Sequence, residues 1–447
     1  MSRTSIECIV QQFIRLFLVH QALDTIWGTV RLLPDAQMGG GMYPAVMAYV
    51  RLTRPLLILS LLYFIFRLRK TDWPYVYIFV FGLPVLLAAI MGLCIQNEFY
   101  PAVADLSNVL VGFLSLWLGL IVFSNVELRR IPELFIKNIW IWFFPCFLSF
   151  LVFITLYLTG KIAYPGFSPG EVHIYALMAP LLGPIGIFFF IACVFVLLFS
   201  GMRGLLVSLI VTGTFSLAFR TLRYGTVRGF FFLTAFVLSG FVFLVFLLGN
   251  VSFDDVYASN ITSVQKFSRF DPRPYDLQTK AGLSEYLNLA TSGRWLEIEG
   301  VIAEFQKEPL FLFAGKGLGA TFTLEFGGDG TNDEALSVFP YGKHRNAHFS
   351  YITGFLIFGF GFLFHLALIL LSLVGLARYL FFVWNSSVLV PFQIIVAQLI
   401  KALIGFTLYQ DTLLWFFTAL GLVLWHQRQF SVADKPNLFG KQKTGIV

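Results

Sequence analysis

The side chains best suited to chemistry gather around one hydrophilic interruption of an otherwise apolar chain. His348 stands just past a 97-residue hydrophilic stretch, residues 251–347, at the edge of the next apolar run. His344 and Arg345 precede it closely, and Arg294 lies inside the stretch. A neutral imidazole is a workable general base near neutral pH. A guanidinium grips paired oxyanions through parallel hydrogen bonds. Plainer readings stand beside these. His348 could be an interfacial histidine at a helix cap, Arg294 a surface residue of a loop helix, and His344 and Arg345 solvated side chains.

The elements that must position these residues are membrane helices. The chain is 58% hydrophobic and 12% charged, and its mean hydropathy is +0.80. That composition excludes a soluble domain and describes a polytopic membrane protein. The first residues lack a basic region, short apolar core and small-residue cleavage site, so insertion is expected to use the spans themselves. Cys8, Cys94, Cys146 and Cys193 all lie in or beside apolar runs, which predicts neither a disulfide framework nor a cysteine metal site. The hydrophilic stretch holds 13 Asp/Glu and 9 Lys/Arg, a net of −4, and the remainder holds 11 and 22, a net of +11. This asymmetry is a topology signal and gives no reason to expect nucleic-acid binding.

A spanning helix needs roughly 20 apolar residues. Candidate spans are residues 5–30, 44–67, 74–95, 106–125, 138–159, 203–219, 229–250, 350–377, 387–408 and 411–427. Basic clusters at Arg67/Arg69/Lys70, Arg129/Arg130/Lys137, Arg220/Arg223/Arg228 and the tail should be cytoplasmic. An even number of crossings is then needed between residues 137 and 220. Residues 174–200, with Pro180, Gly183, Pro184 and Gly186 near the middle, are therefore read as two short segments meeting at a turn. The expected fold is an all-α polytopic membrane protein of about 12 segments, with both termini cytoplasmic and one large outer loop. Residues 1–250 form the N-terminal bundle, 251–347 the partly helical loop, 348–427 the C-terminal helices and 428–447 a cytoplasmic tail.

This topology places Arg203 at the outer face, where a basic residue needs a reason. Arg51, Arg54, Lys161, Arg294, His344, Arg345 and His348 fall on or near the same face. A cluster of this kind facing a cavity suits an anionic lipid headgroup such as a diphosphate. The alternative for Arg203 is a snorkelling anchor at a helix end. Within the loop, Trp295, Ile298, Ile302 and Phe305 recur at helical spacing, Pro309 ends that helix, and Gly315, Gly317 and Gly319 predict a tight turn. Residues 321–342 read as the loosest stretch. No phosphate-binding P-loop is present, because no Lys-Ser/Thr follows the glycines. The run Asp329-Gly330-Thr331-Asn332-Asp333 lacks calcium-loop spacing and is read as a turn. Lys401, Asp411, His20 and Asp24 are intramembrane or membrane-edge charges that a transporter could use.

Three separated pieces resemble one family. Ser200-Gly201-Met202-Arg203-Gly204-Leu205-Leu206 is similar to the small-residue, Arg, Gly opening of a helix in the O-antigen ligase and O-antigen polymerase superfamily. Ser292-Gly293-Arg294-Trp295, followed by Pro309-Leu310 and Gly315-Lys316-Gly317, resembles its Ser-Gly-Arg helix and following turn. His348-Phe349-Ser350-Tyr351-Ile352, then Gly354 and Gly359, resembles its His-x-x-Tyr-Leu helix. The chain departs where the family often has Asn directly after the His, since Phe349 stands there, and in the long acidic stretch before His348.

The resemblance implies a bacterial inner-membrane protein built like the lipid-linked-sugar glycosyltransferases, with its active site facing the periplasm. It implies a metal-independent, inverting transfer of a glycan from undecaprenyl diphosphate to an acceptor sugar, without a cofactor. Carried over by position, Arg203 and Arg294 become diphosphate ligands and His348 the catalytic residue, with His344 and Arg345 as secondary candidates. His348 could equally orient or bind the diphosphate. The acceptor is a lipid-linked repeat in a polymerase and lipid A–core in a ligase, and the departures near His348 tilt the expectation towards polymerase. Membrane lipids and a chain-length regulator are further candidate partners. A lipid-linked oligosaccharide flippase, another transporter and a sensory scaffold are the competing classes.

Overall fold

The computed structural model describes residues 3–30, 43–68, 76–95, 97–125, 134–135, 137–159, 172–178, 182, 185–199, 208–213, 278–279, 282–284, 287, 294–324, 342–344, 349–383, 386–403 and 408–426. Helices dominate them. They are α1 (Arg3–Val30), α2 (Tyr43–Leu68), α3 (Val76–Cys94), α4 (Phe99–Asn125), α5 (Trp140–Leu158), α6 (Val172–Met178), α7 (Ile185–Phe199), α8 (Arg294–Lys307), α9 (Leu310–Ala314), α10 (Ser350–Phe358), α11 (Phe362–Val383), α12 (Ser386–Ala402) and α13 (Thr412–His426). Among the described residues, three stretches are long and apolar enough to cross a membrane: Val76–Cys94, Phe99–Ser124 and Ser350–Phe381. The chain is a helical membrane protein on that ground.

α13 is the centre of the bundle. Every residue from Thr412 to Leu424 is buried, as expected of a helix that is apolar on all sides. α4 and α11 pack along it, α12 flanks it, and α1 reaches it through Phe13 and Phe416, whose ring centres are 5.4 Å apart. Small residues set the close crossings. A Cβ added at Gly119 of α4 would collide with Phe416 O and Ala419, and one at Gly421 of α13 would collide with Ser372 on α11. Helices in lipid gain little from hydrophobic burial against each other, so close backbone approach through small residues is the available source of attraction.

α6 ends at Met178 and α7 begins at Ile185, and of the residues between them Leu182 alone is described. The 7 residues of α6 and 15 of α7 reach only about 10 and 22 Å at ~1.5 Å per residue. Neither is an ordinary straight span.

Several boundaries differ from the sequence expectation. α4 begins at Phe99, seven residues before the apolar window at 106, because Asp105 is buried and hydrogen-bonded inside the bundle. The stretch expected as one span over 350–377 is interrupted by a 3₁₀ turn at Gly359–Gly361, where Gly359 has φ +54°. α12 stops at Ala402, short of 408. Of the expected span 203–219, residues 208–213 are described and helical, and 229–250 lie outside the described residues. The stretch read as loosest begins and ends in order. Phe322–Leu324 (β1) pairs antiparallel with Gly342–His344 (β2), placing Phe322 opposite His344, an exception to an all-α description.

Candidate functional site

Arg203, Arg345 and His348 lie outside the described residues. Arg294 is the first residue of α8 and His344 the last of β2, and their side chains are likewise outside the described part. What the structure provides is the arrangement of the elements that carry them. α8 packs against β1 and also touches α10. β1 holds β2, and so the backbone of His344, in register. Phe349, the residue after His348, is the extended N-cap of α10. The elements bearing Arg294 and His344 and the helix that follows His348 therefore meet at one corner.

α12 ties a further piece to that corner. Ser208 Oγ donates to Ala397 O at 2.7 Å, and Tyr351 Oη donates to Leu399 O at 2.9 Å. The two acceptors lie two residues apart on α12, so the helical piece that follows Arg203 in sequence and the start of α10 are held by the same helix. Leu408 N adds a long contact of 3.4 Å to Ser350 Oγ.

A glycine turn fixes the loop to the membrane helices. Gly315, Gly317 and Gly319 have φ of +72°, +82° and +79°. Gly315 N donates to Phe311 O (2.8 Å), Lys316 N to Leu356 O (2.7 Å), Gly317 N to Ile357 O (3.0 Å) and Leu318 N to Ala88 O (3.0 Å). Gly319 N donates to Asp105 Oδ2 at 2.9 Å, and Ala320 N to Gly317 O at 3.2 Å. Asn97 Nδ2 donates to both Lys316 O (2.8 Å) and Leu318 O (2.9 Å). The acceptors on α10 are available because the helix breaks at Gly359 and leaves carbonyls of its last turn without helical partners. At Gly317 any side chain is excluded twice. Its φ is left-handed, and a Cβ would run into Gly92 N and Ala88 O.

Charge is managed locally. Lys316 Nζ donates to Glu304 Oε2 and to Thr321 O, both at 2.7 Å, with the two charged side chains 12% and 13% exposed. Glu299 Oε1 accepts from Trp295 Nε1 (2.8 Å) and Ser284 Oγ (2.7 Å), holding the preceding piece of loop on α8. Among the described residues, no group of three or more His, Cys, Asp or Glu could hold a metal.

Deeper in the bundle, His365 is fully buried between α3 and α13. Its Nε2 faces Phe81 O at 2.9 Å and its Nδ1 faces Tyr409 Oη at 2.7 Å. A carbonyl only accepts, so Nε2 carries the proton and the Tyr409 hydroxyl donates to Nδ1. Trp415 Nε1 donates to Leu408 O (2.8 Å), and Asp411 Oδ1 accepts from Leu414 N (2.8 Å) to cap α13. Together these bonds hold the turn between α12 and α13 beside Ser350.

Sequence reading missed Asn97, Asp105, His365 and Tyr409. Asp105 and His365 carried a signal, since polar residues in apolar surroundings demand partners. Asn97 carried none, because its partners are more than 200 residues away. Of the other charges noted in the sequence, Arg54 is half-buried on α2 and Lys401 half-buried on α12. Arg51 and Lys161 have no described side chain. Comparison with family models, with curated proteins and with solved structures finds no match to this chain.

Proposed function

We propose that this protein is an inner-membrane glycosyltransferase of about 12 segments, with both termini cytoplasmic and residues 251–347 in the periplasm. It moves a glycan from undecaprenyl diphosphate to an acceptor sugar. Three motif pieces support this reading: Ser-Gly-Met-Arg-Gly ahead of residues 208–213, Ser-Gly-Arg with the glycine turn that follows α8, and His-x-x-Tyr at the start of α10. The carrying observation is that α8, the glycine turn and α10, which carry two of these pieces, pack at one corner of the bundle.

The acceptor hydroxyl attacks C1 of the donor sugar and its proton passes to His348. The C1–O bond to phosphate breaks with its electron pair leaving on the lipid diphosphate. Arg203 and Arg294 hold the charge that accumulates there, which lowers the barrier to departure. Direct displacement inverts C1 and needs neither a covalent enzyme intermediate nor a metal. Polymerase is the preferred form, with ligase as the alternative.

The α10–α11 break bears on the transporter reading. Discontinuous helices in transporters line a substrate path. Here the break is filled by the glycine turn, whose residues 315 and 317–320 are buried. That arrangement favours a fixed scaffold over an open pathway.

Glycan analysis of a deletion strain tests the reading. Lipid A–core bearing one repeat unit indicates a lost polymerase. Bare core, with long chains accumulating on the lipid carrier, indicates a lost ligase. Unchanged surface glycans remove both. Complementation with His348→Ala or Arg203→Ala should give normal membrane levels without transfer, and full activity of either variant would remove that residue from the mechanism.

A further inference from the structure

The glycine turn runs inward from the α3–α4 connection, where Asn97 Nδ2 donates to Lys316 O and Leu318 O, along the helices that hold it. Its contacts on α3 are Ala88 and Gly92, and α3 runs on to Cys94. Its contacts on α4 are Ala102 and Asp105, and α4 begins at Phe99. Its acceptors on α10 are Leu356 and Ile357, and α10 begins at Ser350. Ala88, Asp105 and Leu356 are each six residues in from the helix end, about 9 Å at ~1.5 Å per residue.

Exposed apolar side chains reach past that level. The outer surface of α3 stays apolar and exposed through Ile90 to Leu93, which is 80% exposed, and Phe99 at the start of α4 is 83% exposed. The first hydrophilic residues of the connection are Gln96, Asn97 and Glu98. The inner part of the turn, against Ala88, Asp105 and Leu356, is therefore level with exposed apolar side chains, and an irregular backbone at hydrocarbon depth would find no water there. Its bonding fits that environment, since all six amides from Gly315 to Ala320 have protein acceptors.

α9 leads into the turn at the same depth. It lies beside the 3₁₀ turn Gly359–Gly361, and the rings of Phe313 and Phe360 meet edge-on at 5.0 Å. No charged residue occurs from Pro309 to Gly315, yet Leu310, Leu312 and Phe313 are exposed. Just before them, Gln306, Lys307 and Glu308 are exposed and polar, which marks a change of solvent along the chain. The one charge in the turn, Lys316, is paired with Glu304 on α8 and also donates to Thr321 O, so it is not left alone at that depth.

We infer that residues 309–319 re-enter the membrane from the loop side, and that α9 presents Leu310, Leu312 and Phe313 to the acyl chains of the adjacent leaflet. The exposed face of α9 is then continuous with the lipid-facing surface of α3, with Phe360 of the 3₁₀ turn and with Leu363 and Phe364 of α11. This placement holds independently of the reaction proposed above.

Depth-dependent quenching tests it. The full-length chain carrying Cys8→Ser and Cys94→Ser is given Phe313→Cys or Lys307→Cys, labelled with a fluorophore and placed in phosphatidylcholine nanodiscs. A label at 313 should be quenched roughly twofold or more better by an acyl-chain spin label than by aqueous iodide, and a label at 307 the reverse, the contrast expected across a hydrocarbon edge. Equal iodide quenching at both positions, or best quenching at 313 by a headgroup spin label, overturns the inference. The unsubstituted chain supplies a second measurement in case the variants do not fold. Phosphatidylcholine with a photoactivatable acyl chain should form adducts on residues 310–314 as it does on α3. Adducts on α3 with none on 310–314 overturn it.

Discussion

The amide of Gly319 donates to the carboxylate of Asp105 at 2.9 Å, across 214 residues of sequence. The bond joins the loop to the start of α4 within the bundle, and Asp105 is 1% exposed. A hydrogen bond to a charged acceptor contributes about 1.5–3 kcal/mol. Asp105→Ala should lower stability by about that amount, read as an earlier midpoint in a detergent-unfolding titration. Asp105→Asn keeps an acceptor oxygen and should lose less. Equal stability of Asp105→Ala and the parent chain would mean that the bond does not hold the loop.

Gly317 and Gly213 make a matched pair. Gly317→Ala combines a left-handed φ with collisions at Gly92 N and Ala88 O. Strain and collision of this kind place it among the severe single substitutions, on the order of 4 kcal/mol or more. A Cβ at Gly213 meets nothing within 4 Å, so Gly213→Ala should be close to neutral. Yield of monodisperse protein separates the two, and wild-type behaviour of Gly317→Ala would show that the turn can undock.

Lys316 and Glu304 are each largely withdrawn from solvent, and without Lys316 the Glu304 carboxylate keeps only a long 3.7 Å contact to the exposed Lys307. Lys316→Met alone should cost about 3 kcal/mol, the lower end of the range for breaking a buried pair. Adding Glu304→Gln should recover much of that loss. A double-mutant cycle on unfolding midpoints reads the coupling, and additive effects would reduce the pair to a surface contact.

Tyr409→Phe removes the hydroxyl that donates to His365 Nδ1 and leaves a buried acceptor unpaired, a loss of about 1–3 kcal/mol. His365→Phe with Tyr409→Phe removes both partners and should cost less than the sum of the single changes. The same unfolding assay measures all three variants. A Tyr409→Phe protein as stable as the parent would mean that the His365–Tyr409 bond does not hold this part of the bundle.

Arg294→Lys tests the proposed grip on a diphosphate. A lysine keeps the charge and loses the planar pair of donors. Transfer should fall by about tenfold or more, one order of magnitude per ~1.4 kcal/mol of lost transition-state binding, with little change in stability. Retained transfer would leave Arg294 as a surface residue of α8.

Much of this architecture was legible in the sequence, because the signals are local. Long apolar runs marked α1 to α5, since only a helix satisfies its backbone in hydrocarbon. Pro180 and its neighbouring glycines marked the interruption between α6 and α7. Trp295, Ile298, Ile302 and Phe305 marked α8, Pro309 its end, and Gly315, Gly317 and Gly319 the turn. Nothing local could say where that turn goes. Its partners Ala88, Asn97, Asp105 and Leu356 are scattered along the chain, and backbone acceptors such as Ala88 O and Leu356 O carry no residue-type signature. The same holds for the break at Gly359, which follows an apolar run that periodicity alone reads as continuous. The carbonyls that the break frees, Leu356 O and Ile357 O, are taken up by the turn, a partnership that only the packed tertiary structure decides.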